Sequence, residues 1–448
     1  MKKTLTLINV LLLVLVTTFS ACFKSKSTDT TIATVFTNDV FTEASGTSAY
    51  TGGVTLNSTV PFTAYGVCYS TSNPTPTISD PHQDEKIKFT SFSSHLSGLT
   101  PNTTYYVRAF ATNAGGTGYG DVIQFKTGDG TNPYGTVSTF TGAGAGYVNA
   151  TGTAALFNHP TAVTADAAGN VYVSDSYNSV IRKITPDGVT STVAGTGTLG
   201  YVDGPGATAQ FYAPAGLAVD AGGNIFVADM GNNIIRKISA DGVVTTLAGN
   251  GSAGYANGTG NAATFNSPSG IAIDAQGDLL VTDMGNSLIR EVTQAGVVTT
   301  IVGNRGVGYI NASGINATLN KPSGIALDVS GNMYITETGT NSVRKIDKSY
   351  MVSTFIGGLD SLAYAVGKPQ AISIDANNNF YIADANGRIL KVSKDKVLTI
   401  LAGNSGTTGD ADGVGTAASF YDPRGIVADK QGHVYVADYN NNRIRKIQ

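Results

Sequence analysis

Apolar and polar residues alternate in short runs over the last two thirds of this chain, and the runs return in a fixed order. Residues 214–249 read PAGLAVDAGGNIFVADMGNNIIRKISADGVVTTLAG. Four apolar runs stand out, at 216–219, 224–228, 234–238 and 243–247. Each has the length and the β-branched content of a strand. The clusters between them, around Asp220, Asp229 and Asp241, are rich in Gly, Asn and Asp. Such residues tolerate positive φ or bond their own downstream backbone, so they read as tight turns. No stretch sustains a helical period. The pattern predicts four antiparallel strands per unit.

The unit recurs six times, beginning at Pro160, Pro214, Pro268, Pro322, Pro369 and Pro423, with spacings of 54, 54, 54, 47 and 54 residues. An acidic residue follows each proline by 15 positions: Asp175, Asp229, Asp283, Glu337, Asp384 and Asp438. An arginine recurs as Arg182, Arg236, Arg290, Arg344 and Arg445, with Leu390 in its place in the fifth copy. A period of this size, built of strands, predicts radial repetition of four-stranded sheets. The last copy stops at Gln448 after its third run, while VSTFTG at 137–142 matches the fourth-run text elsewhere, such as VTTLAG at 244–249. Pairing of the two ends would complete the sixth sheet and remove an open edge.

The unit Asp-x-x-Gly-Asn-Val-Tyr-Val-Ala-Asp-x-x-Asn-Asn-Arg-Ile-Arg-Lys resembles the NHL repeat, and Asp429 to Lys446 carries it nearly whole. The resemblance spans 136–448 and implies a six-bladed NHL-type β-propeller. Residues 34–127 are a different text. In Tyr105-x-Val107-x-Ala109-x-Ala111 alternate residues share one face. Leu99-x-Pro101-x-Thr103-x-Tyr105 resembles the tyrosine-corner approach of a fibronectin type III domain. That resemblance implies an immunoglobulin-like sandwich, acting as a spacer or adhesive module, with 128–135 as linker. The expected fold class is all-β.

The chain opens on Lys2-Lys3, an apolar run from Leu5 to Val16, and Ser20-Ala21-Cys22. This reads as a secretory signal, with an apolar run too short for an ordinary membrane span. Ser-Ala-Cys resembles a bacterial lipobox. Residues 1–21 are then the signal peptide, Cys22 the lipidated residue and 22–33 a tether. The expected address is the bacterial cell envelope, lipid-anchored at an outer membrane and facing the periplasm, with the cell surface as the other option. Cys68, the only other cysteine, sits in the apolar run AYGVCYS and reads as a buried thiol.

Charged residues make up only 13% of the chain and the net charge is −3. There is no basic stripe to displace counterions, so nucleic acid is excluded as a partner. No nucleophile elbow or phosphate loop appears. His82, His95, His159 and His433 are the four histidines, and only the last two fall in the repeats, too few for an ordinary zinc site. No cofactor or metal is expected. Propeller lyases and lactone hydrolases would need a channel metal, and they remain the alternative to a non-catalytic monomer that binds an envelope protein or glycan.

The long loops between repeats are the candidate binding elements. Four carry a tyrosine before a polar residue: Tyr147, Tyr201, Tyr255 and Tyr309. These rings could crown the mouth of the ring or merely pack each loop. Asp410 and Asp412 fall in a Gly-rich turn that could hold a weak Ca²⁺. The shortened loop 357–369 and the altered loop 403–415 flank the fifth repeat, and a partner is expected to enter there.

Overall fold

A computed structural model describes residues 31–56, 61–85, 91–131, 133–358 and 366–448. The leader, Cys22 and part of the shortened loop, 359–365, lie outside the described residues. The first hundred described residues form two antiparallel sheets. Their strands are β1 (Thr34–Thr37), β2 (Phe41–Glu43), β3 (Ser48–Leu56), β4 (Ala64–Ser70), β5 (His82–Asp84), β6 (Ser91–Ser97), β7 (Thr104–Asn113), β8 (Gly116–Tyr119) and β9 (Ile123–Lys126). In one sheet β3 pairs with β6 on one edge and with β1 then β2 on the other. In the second, β4 lies between β5 and β7, and β7 carries β8 then β9.

Period-two alternation drives the packing of these sheets. Tyr105, Val107, Ala109 and Ala111 of β7 turn inward onto Val35, Val67, Phe92, Leu96 and Phe125. The Thr100 N–H donates to the Tyr105 hydroxyl at 3.0 Å, which pins the connection into β7. Cys68, on the other face of β4 from Val67, is also buried, and its thiol donates to the Pro76 carbonyl at 3.2 Å. Burial pushes that thiol up to about 11, so it stays protonated and unreactive at neutral pH.

Six four-stranded antiparallel sheets follow among the described residues, in strand order one to four. Sheet two, for example, is Pro214–Val219, Ile225–Asp229, Ile234–Ile238 and Val243–Ala248. The outer strand of sheet six comes from the start of the repeat region. That strand, β10 (Thr136–Thr141), pairs antiparallel with Arg443–Ile447, Val137 opposite Ile447. The first strand of each sheet contacts the first strands of its two neighbours, and the cycle closes from sheet six to sheet one. First strands therefore line the axis. They come very close, and a Cβ on Gly216 would stand 2.2 Å from the Ser269 carbonyl oxygen of the next sheet.

Each outer edge is covered, as an exposed edge invites unwanted pairing. Gly204–Pro205, Gly258–Thr259 and Gly413–Val414, each from the loop entering its sheet, pair with the outer strands of sheets two, three and six. Single bridges, Thr151 to Val189 and Ser313 to Met351, do so in sheets one and four. Sheet five differs, for β2 of the sandwich pairs parallel with its outer strand, Thr42 opposite Val397 and Glu43 opposite Leu398. Thr42 N–H donates to Lys396 O at 3.0 Å and Ala44 N–H to Leu398 O at 3.1 Å. Phe41 and Tyr50 pack with Tyr334, Phe355 and Phe380, and Lys396 pairs with Asp39 at 2.5 Å. The outer edge of sheet five is thus covered by the chain's own N-terminal unit.

Candidate functional site

The repeated acid and arginine build the frame of one face. Asp229 ends the second strand of sheet two. It accepts the Tyr212 N–H at 2.9 Å, the Asn232 amide at 2.8 Å and Arg236 Nη1 at 3.1 Å. Arg236 is fully buried, and it also donates to the carbonyls of Gln210 and Val202 and to Asp203 Oδ1 at 2.6 Å. One side chain thus ties the incoming loop to the sheet at four points. Arg182 with Asp175, Arg290 with Asp283, Arg344 with Glu337 and Arg445 with Asp438 repeat the pairing at 2.7–3.1 Å. Burial pushes the carboxyls of Asp175, Asp229 and Asp438 up to about 6 even beside the guanidinium, so these three are ionised at neutral pH. Sheet five solves the same problem differently. Arg388, four residues after Asp384, replaces the arginine missing at Leu390.

The loop tyrosines belong to this frame. The Arg182 guanidinium lies 5.1 Å from the Tyr147 ring and that of Arg344 lies 4.4 Å from Tyr309. Tyr147 and Tyr309 hydroxyls meet Thr192 and Thr354 of the outer strands at 2.9 and 2.8 Å. Tyr201 rests beside Arg236, and Tyr255 under Arg305 at 3.5 Å. Tyr147 and Tyr309 therefore sit over outer strands, and each of the four rings packs beside an arginine. Asp412 takes the place of Asn149, Asp203, Asn257 and Asn311, receiving Arg445 at 2.6 Å. Asp410 pairs with Arg443 at 2.7 Å. Two arginines therefore engage the carboxylates expected to hold Ca²⁺.

The departures from the repeat converge nearer the axis, where sheets six and one meet. His159, just before the first strand of sheet one, lies 4.3 Å from the Tyr177 ring and 4.6 Å from Tyr439. Arg424 stacks 3.4 Å above Tyr439 and pairs with Asp422 at 2.9 Å. Tyr177 is 60% exposed, Tyr439 only 6%, so one ring is offered to solvent on a support made by the other. Burial and the Tyr177 phenol push Tyr439 up to about 12. Burial and then Arg424 hold His159 below its ordinary 6.5, so it is neutral at pH 7. His159 is fixed at φ +53° by a bond from its N–H to Asn442 Oδ1 at 2.8 Å. Tyr212 and Tyr421, 46% exposed each, extend the aromatic arc over sheets two and six.

Sequence reasoning passed over this cluster, although the signal was present. Tyr177 stands where other copies have Gly231, Gly285 and Gly339, and Arg424 where they have Thr161, Ala215, Ser269, Ser323 and Gln370. His433 does not join His159. It opens the second strand at the opposite end of sheet six and bonds Asp429 at 2.8 Å. That opposite mouth is a cavity of about 660 Å³ bordered by Asp166, Asp220, Asp375 and Asp429. Asp166 and Asp375 accept bonds from their own hairpin backbones, which is the turn role read from sequence. Among the described residues one acidic trio could hold a metal ion, Asp274, Asp278 and Glu291, with ligand atoms within 4.8 Å of one another.

The NHL repeat model matches residues 265–291 and 420–447. The chain carries NHL repeats. A segment of 79 residues is 43% identical to Protein SUPPRESSOR OF QUENCHING 1, chloroplastic, of Arabidopsis thaliana. The match covers 17% of this chain and spans only 7% of that relative's length. A solved protein of unknown function from Bacteroides thetaiotaomicron is similar at 17% identity, over 92% of this chain and 98% of that one, with a TM-score of 0.54. An auxiliary nutrient binding protein of the same species is similar at 15% identity, over 93% and 97%, with a TM-score of 0.54. Both likenesses are of fold, and these neighbours are β-propeller proteins.

Proposed function

We propose that this chain is a non-catalytic, lipid-anchored envelope protein whose propeller binds a glycan or protein through its loop face. In this reading the six sheets are the blades of an NHL propeller, the N-terminal unit is a fibronectin type III-like sandwich, and Cys22 carries the lipid. The protein is a monomer at the outer membrane, facing the periplasm. The observation that carries the reading is the cluster of Tyr177, Tyr439, His159, Arg424 and Asp422. Exposed aromatics framed by polar groups are what recognition of a sugar or peptide requires, and the frame elsewhere on that face is a repeated structural device. Fold likeness to a nutrient binding protein is compatible with a binding role and is support by analogy only.

The test is affinity capture from the native envelope with the full chain and with Tyr177→Ala/Arg424→Ala, read by mass spectrometry. A saturable partner retained by the wild type and lost by the variant is expected, and equal retention by both sinks the reading. The alternative, a metal-dependent lyase or lactone hydrolase, would draw on the Asp274, Asp278 and Glu291 trio. Stoichiometric divalent metal in the purified protein would favour it.

A further inference from the structure

The residue before each repeat proline stands at the loop-face end of an axis-lining strand. In sheet order these residues are His159, Ala213, Ser267, Lys321, Lys368 and Asp422. Five of them have positive φ, between 48° and 57°, so the backbone presents them alike and only the side chain differs. Around this ring the chemistry is divided. Sheets six, one and two carry the aromatic arc of Tyr421, Tyr439, His159, Tyr177 and Tyr212. Sheet four, across the axis from sheet one, carries Lys321, and sheet five, beside sheet six, carries Lys368, both exposed. Among the described residues neither lysine is in an ion pair. Asp422, the one acid of the ring, is held by both Nε and Nη2 of Arg424, at 3.1 and 2.9 Å.

Resting on the loop-face reading above, we propose that the ligand is a carboxylated glycan. A sugar ring stacks on Tyr177, and carboxylates of the chain meet Lys321 and Lys368 further round the ring. The surroundings favour a sugar over a peptide. Beside the exposed ring stand the His159 imidazole and the Tyr439 ring, with the Asp422–Arg424 pair stacked on Tyr439, polar groups that suit hydroxyls able both to give and to accept. An apolar peptide side chain would need a dry pocket, and these groups do not supply one. The two lysines ask for negative charge, and their distance from the aromatic arc around the ring asks for a chain longer than one sugar.

The full chain is titrated calorimetrically with hexuronate oligosaccharides (galacturonan, glucuronan and mannuronan) as free acids and as methyl esters, in which the negative charge is removed. The free acid of at least one should bind about fivefold tighter than its ester at low salt, the preference fading near 0.5 M NaCl. Lys321→Gln/Lys368→Gln should remove that preference and leave ester binding unchanged. Tyr177→Ala should weaken both forms. Equal affinity for acid and ester, or a preference that survives the double variant, overturns the charge inference while a Tyr177 effect keeps the loop-face reading. Binding of neither form overturns the inference, and a peptide partner captured on the same face would replace the glycan.

Discussion

Arg236→Met is the sharpest probe of the buried frame. The substitution keeps an unbranched chain of similar length and removes four donated bonds, to Asp229, Gln210, Val202 and Asp203. Asp229 is left fully buried with only the Asn232 amide and the Tyr212 N–H. Breaking a buried pair on one side costs about 3–5 kcal/mol, because the remaining charge is uncompensated. The sign of the pH dependence follows. Burial already raises the Asp229 carboxyl from 3.8 to about 6 with Arg236 present. Losing the cation raises it further, so the folded variant binds more protons than the unfolded chain above pH 3.8 and gains stability as pH falls. Urea midpoints of the wild type and of Arg236→Met at pH 8 and pH 5.5 therefore differ most at pH 8. Asp229→Asn/Arg236→Met, which removes the orphaned charge, should recover roughly 1–2 kcal/mol at pH 8. A single variant within about 1 kcal/mol of wild type, or a deficit that grows toward pH 5.5, refutes the reasoning.

Phe41→Ala removes a ring packed edge-on against Phe355 at 5.0 Å. It should weaken docking of the sandwich by about 3 kcal/mol, seen as a larger radius in small-angle scattering and faster proteolysis around 128–135. Unchanged scattering would contradict fixed docking. Gly216→Val cannot fit against the Ser269 carbonyl at 2.2 Å and should prevent soluble expression, whereas a soluble variant with a wild-type melting temperature would disprove the tight axis. His159 is held below 6.5 in the fold. Its contribution is complete above that pH and is lost as pH falls toward the folded value, so His159→Gln should lose less stability than wild type between pH 7 and 5. Parallel melting curves would refute the placement.

The repeat period and its turn chemistry were legible because every copy uses the same residues for the same task. The closing strand was legible because VSTFTG repeats the outer-strand text, and β10 pairs with Arg443–Ile447. The docking of β2 on sheet five was not, since Phe41-Thr42-Glu43 has no counterpart in the repeats and its partner lies some 350 residues away. Arg388 was hidden by a one-residue deletion that moves the arginine from the middle of its strand to the first residue. The loop tyrosines drew attention by recurring, yet recurrence marked them as frame. The functional candidates lie where the frame is interrupted, at Tyr177, Tyr439 and Arg424, and only the closure of sheet six onto sheet one brings them together.

Hydrogen–deuterium exchange of the full chain, with and without the partner recovered from the envelope, tests the central claim most directly. Protection confined to the loop face, at 158–161, 176–179, 421–424 and 438–442 and around Lys321 and Lys368, is the predicted result. Protection at the opposite turns, around Asp166, Asp220 and Asp375, or no protection in the repeats at all, would contradict the loop-face account.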